Sequence, residues 1–313
     1  MKNRGFTLIE LLAVLVILTI IALIAVPIVI NIIDNARNSA NKRSVELYAR
    51  AVELAIQESK IKHIYIPDGI YTLNNGQICN EEETSKCITV EVNGTEPNSY
   101  AMTIKNGIII EQIIQLKPNS QKYIKPTNGE FKEITVTKAT GNVPQGNYAA
   151  GDEYIIHIGG EDRIFFVLGE NTDDSNKVDL IMNKNIGNLV AWCNNETLCK
   201  TNSNWDNTKG PITATAYLQS QTSNWEIIPT LPTKEQIQGA YTGNMPTWMY
   251  DYLNNTTHSV SGLSGYWTNS FNTQNSTDAW VVYREGRVSS SYIITTNGYG
   301  IRPVITVSKF LLD

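Results

Sequence analysis

The stretch MKNRGFTLIELLAVLVILTIIALIAVPIVINIID, residues 1–34, decides the organisation of this chain. A lysine and an arginine form a short cationic leader over residues 1–5, and residues 6–33 are almost continuously apolar. A helix of about 20 apolar residues spans a bilayer, and positive charges beside it stay on the cytoplasmic side. The stretch therefore predicts a single membrane-spanning helix over residues 6–33 with a cytoplasmic N-terminus.

Two simpler interpretations of this stretch, a secretory signal peptide and a plain membrane anchor, have to be considered. A secretory signal peptide is disfavoured, because the run is too long for its apolar region and no small-residue cleavage motif follows. A plain anchor is disfavoured by Glu10, because a carboxylate deep in a bilayer costs about 2.5–3.5 kcal/mol on insertion scales. The residues thus indicate a function beyond anchoring.

Residues 5–10, GFTLIE, together with the basic leader resemble the type IV prepilin motif. The resemblance implies that a prepilin peptidase cuts between Gly5 and Phe6 and that the new amine of Phe6 is N-methylated. It also implies assembly with other pilin subunits into a helical homo- or hetero-polymer. In such a filament Glu10 is expected to pair with the N-terminal amine of a neighbouring subunit, because an unpaired charge in an apolar core is costly.

Pro27 lies inside the apolar run, where proline removes a backbone hydrogen bond and kinks or locally melts a helix. Pilin-like proteins are similar in carrying a proline there, so we expect Pro27 to help the helix bend during assembly. Beyond the apolar run the pattern becomes amphipathic. It predicts one helix over residues 6–59, roughly 80 Å long, whose second half packs on a globular head. Its apolar positions are Val45, Tyr48, Ala49, Val52, Ala55 and Ile56.

The first head is predicted over residues 60–137 as an antiparallel meander. Asn-Gly steps at 75–76, 93–94 and 106–107 are turn signals, and the last suits a type I′ hairpin between two apolar strands. A long helix followed by such a meander resembles a pilin head.

The four cysteines form two close pairs, Cys79 with Cys87 and Cys193 with Cys199. Close even pairs in a surface protein favour local disulfides, each contributing roughly 2–3 kcal/mol in the chain-entropy model. Free thiols are the alternative. A metal site has little support, because none of the three histidines has zinc-like spacing to a cysteine pair.

A second domain is predicted over residues 151–313, after a linker at 138–150 that is rich in Gly, Pro, Asn and Ala. Residues 154–158, 163–168 and 178–182 predict strands, residues 186–223 a polar loop region, and residues 234–240 a helix with Thr233 as N-cap. Later strands are predicted at 280–283, 287–289 and 301–307. Four segments resemble bacterial lectin-like domains similar to C-type lectins and sulfatase-modifying enzymes: residues 231–235, 265–270, 279–283 and 300–304.

This resemblance predicts a mixed, loop-rich fold, and the chain as a whole is therefore predicted to be α+β. Sulfatase-modifying activity is disfavoured, because that family needs late cysteines and none follows Cys199. The Trp-Asn-Asp calcium run of sugar-binding C-type lectins is also missing, so calcium, although compatible with the Asp- and Asn-containing loops, has no support. No cofactor or metal is expected.

Aromatic residues supply the candidate ligand contacts of the second domain. Trp267 and Trp280 alternate with apolar neighbours and are expected to fill the core, while Arg302 is expected to make a structural ion pair or backbone contact. Exposed aromatic loops are better candidates for binding a glycan or a host surface. Their residues are Trp205, Trp225, Trp248 and Tyr250.

Composition and motifs exclude several functions. A net charge of −5 and a pI of about 5.4 provide no basic field for nucleic acid. The sequence has no P-loop, nucleophile elbow or histidine-based metal motif, so we expect no enzyme. The prediction is a minor or tip pilin with an adhesive C-terminal domain. It would be a single-pass protein of the cytoplasmic membrane before assembly and extracellular afterwards. A major structural pilin and a pseudopilin of a secretion or competence filament remain alternatives.

Overall fold

The computed structural model describes residues 8–92, 96–118, 120–126, 129–138, 146, 148–250 and 263–313. The chain divides into two compact units, residues 1–120 with 125–131 and residues 121–124 with 132–313. A long N-terminal helix followed by sheet-rich units gives an α+β protein, as predicted.

Helix α1, Leu8–Ile61, is the longest element of the first unit. The helix is uninterrupted across Pro27, so the backbone does not melt there in the isolated chain. Only its C-terminal part carries a buried face, and that face follows the predicted amphipathic pattern. The buried side chains are Val45, Tyr48, Ala49, Val52 and Ile56.

The first unit also contains a five-stranded antiparallel sheet in the order β5-β4-β1-β2-β3. Its core lies between α1 and this sheet, where the rings of Tyr48 and Tyr100 meet edge to face with centroids 5.2 Å apart. The strands are Gly69–Asn74 (β1), Gln77–Asn80 (β2), Cys87–Thr89 (β3), Ser99–Lys105 (β4) and Ile108–Gln115 (β5).

Two predicted Asn-Gly turns join these strands. Asn75 and Gly76 connect β1 to β2, and Asn106 and Gly107 connect β4 to β5, with positive φ at all four positions. Positive φ at both central residues defines a type I′ turn, which asparagine and glycine tolerate best. The carboxylate of Asp68 accepts hydrogen bonds from the backbone of the second turn and thereby fixes the hairpin. The third predicted turn, at 93–94, lies outside the described residues.

The second unit contains two sheets. The larger is antiparallel in the order β17-β10-β9-β8-β7-β6, to which β6 contributes residues 122–124. The smaller has the order β15-β14-β13-β16, in which β16 runs parallel to β13. A short hairpin, β11-β12, stands apart. The strands are Lys122–Pro126 (β6), Lys132–Lys138 (β7), Glu153–Ile158 (β8), Glu161–Glu170 (β9), Lys177–Met182 (β10), Lys200–Thr201 (β11), Asn204–Trp205 (β12), Gly265–Phe271 (β13), Asp278–Tyr283 (β14), Arg287–Tyr292 (β15), Tyr299–Gly300 (β16) and Val304–Ser308 (β17).

Short helices complete the second unit. Helix α3 begins with the predicted N-cap, since Thr233 and Gln236 form a reciprocal capping box. Helix α2 lies in the stretch predicted as loop, and the structure corrects that prediction. The helices are Ile212–Gln221 (α2), Lys234–Gly239 (α3) and Lys309–Leu312 (α4), with 3-10 turns at Asn207–Lys209 and Thr247–Met249.

Two apolar clusters cover the two faces of the smaller sheet. The first joins the larger sheet, α3 and one face of the smaller sheet through residues such as Ile181, Ile237 and Tyr266. The second lies on the other face around Trp192 and Trp267. The fully buried residues of this sheet, such as Tyr266, Trp267 and Val281, therefore belong to the core.

The division between the units falls within residues 120–132, earlier in the chain than the predicted linker. Strand β7 belongs to the second unit and pairs with β8 through residues 135–138 and 154–157. Most of the predicted linker, residues 139–145 and 147, lies outside the described residues. The linker at 138–150 therefore stays a prediction.

Candidate functional site

The N-terminal part of α1 is a candidate assembly site. Residues 8–33 are apolar on every side of the helix and lie exposed in the isolated chain. The helix is long and apolar enough to cross a membrane. A helix that is apolar all round is stable only inside lipid or against other apolar surfaces, so this segment needs an environment that the chain itself does not supply.

Glu10 and Pro27 both lie within this segment. Glu10 lies near the start of the described part of the helix. Pro27 has no N–H to donate to the carbonyl of Leu23, one turn earlier. Gly5 and Phe6, the predicted processing residues, lie outside the described residues. The assembly roles of Glu10 and Pro27 stay predictions.

The second half of α1 joins the sheet of the first unit through a polar network as well as through apolar contacts. Glu53 accepts hydrogen bonds from the Lys125 ammonium at 2.9 Å and from the buried Gln112 amide at 3.1 Å. The hydroxyl of Tyr100 donates to Gln112 at 2.9 Å, and burial raises the Tyr100 pKa well above its ordinary value. Tyr100 therefore stays protonated and keeps donating, which fixes the rotation of α1 against the sheet.

All four cysteines form the two predicted disulfides, Cys79–Cys87 and Cys193–Cys199. The first joins adjacent strands β2 and β3, with Cys87 at the surface. The second is fully buried in the cluster around Trp192 and Trp267. The first closes an acidic surface loop, while the second forms part of a core.

The aromatic candidates of the second unit do not share an exposed face. Trp225 is only 4 % exposed and packs edge to face on Phe165, so its predicted exposure is wrong. Trp248 and Tyr250 are half-buried against the cluster that contains Tyr266. A ligand role for these two residues stays a prediction.

Trp205 is also half-buried. It packs against the cluster around Trp192, and the Lys200 ammonium lies 4.5 Å from its ring centroid. Part of the ring is therefore accessible, and its ligand role stays a prediction too. These burials arise from long-range packing, which the local pattern around each aromatic residue does not reveal.

Arg302 makes the backbone contacts expected for it. Its guanidinium is fully buried and donates to the carbonyl oxygens of Met182, Trp248 and Met249. A buried guanidinium with several fixed acceptors acts as a structural cross-link between segments. Trp267 is fully buried as predicted, whereas Trp280 is only half-buried, with the Lys234 ammonium 3.6 Å from its ring centroid.

Among the described residues, no group of three or more His, Cys, Asp or Glu side chains could hold a metal ion. The carboxylate of Asp206, next to Trp205, instead accepts hydrogen bonds from Thr201 and Thr208 nearby in the chain. Hydrogen bonds from the hydroxyls of Thr201 and Thr208 and from the Thr208 amide lower the Asp206 pKa to about 2. This carboxylate caps the 3-10 turn that follows it.

Comparison with known proteins gives one match. Residues 1–26 match the family described as the prokaryotic N-terminal methylation motif. That match supports a type IV pilin-like prepilin, a subunit processed by a prepilin peptidase and assembled with other pilins. It points to a structural subunit rather than an enzyme. No curated protein and no solved structure matches the chain.

One candidate feature was not singled out from the sequence. Leu47, Leu54 and Ile61 lie exposed on α1, beyond the apolar segment. Their spacing of seven residues, two helical turns, is the sequence signal that could have revealed them.

Proposed function

We propose that this chain is a minor or tip subunit of a type IV pilus, with its second unit presented for adhesion. The observation that carries the pilin part is an exposed helix, apolar all round over residues 8–33, at the start of which the methylation motif is matched. Such a helix is stable in a bilayer before assembly and in the apolar interior of a filament afterwards.

The mechanism follows from the order of the segments. Cleavage between Gly5 and Phe6 creates a positive amine close to Glu10. In the filament this amine pairs with the carboxylate of a neighbouring subunit, and the pair sets the register between subunits because an unpaired charge is costly there. Pro27, with no N–H of its own, allows the helix to bend as it leaves the membrane.

The bulk of the second unit supports a minor or tip position. Residues 132–313 make it larger than the first unit, and it would have to project from a regular shaft. Subunits at a tip, or scattered along a shaft, accommodate such bulk most easily. The ligand would be a glycan or a host surface, contacted through the partly accessible rings of Trp205, Trp248 and Tyr250.

Processing is tested by mass spectrometry of the protein from sheared filaments and from membranes. We expect the wild-type protein in filaments to begin with N-methylated Phe6. The Gly5→Val variant should remain in the membrane with its leader attached, because a branched side chain hinders entry into a narrow protease cleft. Asn3→Val is the control and should be processed normally. An intact N-terminus in assembled wild-type protein would refute the pilin function.

Position and adhesion are tested on filaments that contain the full chain. Gold-labelled antibody against the second unit should mark ends or sparse points, and saturable binding to a glycan or host-matrix array should disappear when the gene is deleted. Labelling along the whole shaft would favour a major pilin. Normal pili but defective protein secretion or DNA uptake on deletion would favour a pseudopilin.

A further inference from the structure

Two Asn-Gly turns of the first unit have the same backbone form but different surroundings. Asn75 and Gly76 join β1 to β2, and Asn106 and Gly107 join β4 to β5, with positive φ at all four positions. Both asparagines are exposed and both glycines are half-buried. The turns therefore form a matched pair, in which a difference in chemical behaviour reports a difference in what surrounds each turn.

An asparagine followed by glycine can lose its side-chain amide without an enzyme. The backbone nitrogen of the glycine attacks the side-chain carbonyl carbon of the asparagine, a new C–N bond forms, and ammonia leaves. Water then opens the cyclic imide to aspartate or isoaspartate, so the reaction needs no other reagent. Glycine favours this step because it has no side chain to obstruct the attack. The attacking nitrogen must give up its proton and carry negative charge as the ring closes.

Asp68 holds the attacking nitrogen in one of the two turns. Its carboxylate accepts hydrogen bonds from the backbone N–H of Asn106 at 2.7 Å and from that of Gly107 at 3.1 Å. These two bonds lower the Asp68 pKa below its ordinary value, so the carboxylate is charged at neutral pH. Its charge opposes the negative charge that the Gly107 nitrogen must develop, and the hydrogen bond must break before the attack.

The attacking nitrogen of the other turn is not held in this way. Among the residues that the structure describes, none accepts a hydrogen bond from the N–H of Gly76. The carboxylate of Glu96 lies close to Gly76, but this N–H does not donate to it. The turn at Asn75 therefore keeps a nucleophile beside an exposed side-chain amide.

We propose that Asn75 is a site of spontaneous deamidation and that Asp68 protects Asn106 from the same reaction. The inference goes beyond the proposed function and does not depend on it. Protection has a structural consequence at the second turn, because the Gly107 carbonyl accepts a hydrogen bond at 2.8 Å from the Lys60 ammonium near the end of α1. Isoaspartate would insert an extra backbone atom into that turn and disturb this contact between hairpin and helix. Deamidation of Asn75 leaves the contact intact and adds a negative charge to the head.

Peptide mapping of the purified full chain in detergent tests the proposal. The chain is incubated in mildly alkaline buffer, and mass spectrometry follows the conversion of each asparagine separately. The map also separates the remaining Asn-Gly steps, at 93–94, 128–129 and 297–298. We expect Asn75 to convert about tenfold faster than Asn106, because a hydrogen bond to a charged group must first break at the second turn.

The unfolded chain is the first control. In denaturant the hydrogen bonds to Asp68 are absent, so Asn75 and Asn106 should convert at similar rates. Equal rates in the folded chain would overturn the proposal. The same difference in the unfolded chain would overturn it too, because the difference would then arise from the local sequence.

Two substitutions separate the effect of the carboxylate from that of holding the hairpin in place. Asp68→Asn removes the charge and should raise the conversion rate of Asn106 about tenfold, close to that of Asn75. Lys60→Met removes the hydrogen bond to the carbonyl of Gly107 and should leave Asn106 protected. An equal rise in both variants would refute the role of Asp68, and so would no rise in Asp68→Asn. A slower conversion of Asn106 in Asp68→Asn than in the wild-type chain would show that the carboxylate promotes the attack.

A matched control and a second readout complete the test. Glu82→Gln makes the same acid-to-amide change at an exposed position between β2 and β3 and should alter neither rate. Hydrogen exchange measures the two N–H groups directly. The Gly107 N–H should exchange more slowly than that of Gly76 in the wild-type chain and lose this protection in Asp68→Asn. Equal exchange in the wild-type chain would overturn the proposal.

Discussion

Replacing Arg302 by methionine removes a cross-link inside the second unit while keeping a long apolar side chain. The guanidinium is fully buried and serves the carbonyl oxygens of Met182, Trp248 and Met249. A buried acceptor left without its donor costs about 1–3 kcal/mol. With three acceptors at the lower end of that range, and methionine filling most of the space, we expect Arg302→Met to lower the free energy of unfolding by about 3 kcal/mol.

The assay uses tryptophan fluorescence during thermal unfolding of the full chain in detergent. All six tryptophans lie between residues 192 and 280, so the signal reports the second unit alone. In a domain of 150–250 residues, 1 kcal/mol shifts Tm by about 2–4 °C, so the expected fall is about 6–12 °C. The Arg302→Lys variant keeps the positive charge but has fewer fixed hydrogen-bond donors, so its Tm should lie between those of the wild-type chain and Arg302→Met.

Arg284→Met is the matched control, because this arginine is exposed and pairs with the neighbouring Glu285 at the surface. Exposed pairs contribute little, so we expect a Tm within about 2 °C of the wild-type value. An equal fall for both variants, or no fall for Arg302→Met, would refute the assignment of Arg302 as a structural cross-link.

Two further predictions follow from differences in accessibility and hydrogen bonding. In the folded chain, a mild thiol reductant should open Cys79–Cys87 before Cys193–Cys199, because Cys87 is at the surface and the second pair is fully buried. Alkylation of the released thiols followed by peptide mapping measures the order of opening. Equal rates of reduction for the two disulfides would contradict this prediction. The pKa of Asp206, about 2, lies below its unfolded value of about 3.9, so its contribution to loop stability is present above about pH 4 and is lost as the pH falls through about 2. NMR titration should show the hairpin loosening in that window and Asp206→Asn abolishing the effect; a carboxyl that titrates near its ordinary value would contradict it.

Features of the fold that depend on neighbouring residues in the chain could be predicted from the sequence. The two hairpins form at Asn-Gly steps because both central residues require positive φ. Helix α3 begins at Thr233 because threonine and a glutamine three residues later can satisfy each other's backbone donors. The disulfides join cysteines that were already close along the chain.

Features of the fold that depend on contacts between distant segments could not be predicted from the sequence. Helix α2 was missed because its apolar and polar residues are poorly segregated and Pro211 provides no side-chain cap. The division between the units depends on the pairing of β7 with β8, two strands separated by the predicted linker. The burial of Trp225 depends on contacts with Phe165 and Gly159, strand and turn residues about 60 positions earlier.

The continuity of α1 has a mechanical consequence. The same helix that begins in the apolar segment ends in the core of the first unit, where Val45, Val52 and Ile56 are buried. A pull on the part of the helix before Val45 therefore reaches the head through a single continuous helix. Because sliding the helix along its axis would break several turns of packing at once, the load is shared in shear. Rupture force should then scale with the number of buried turns and not with the strength of any one contact.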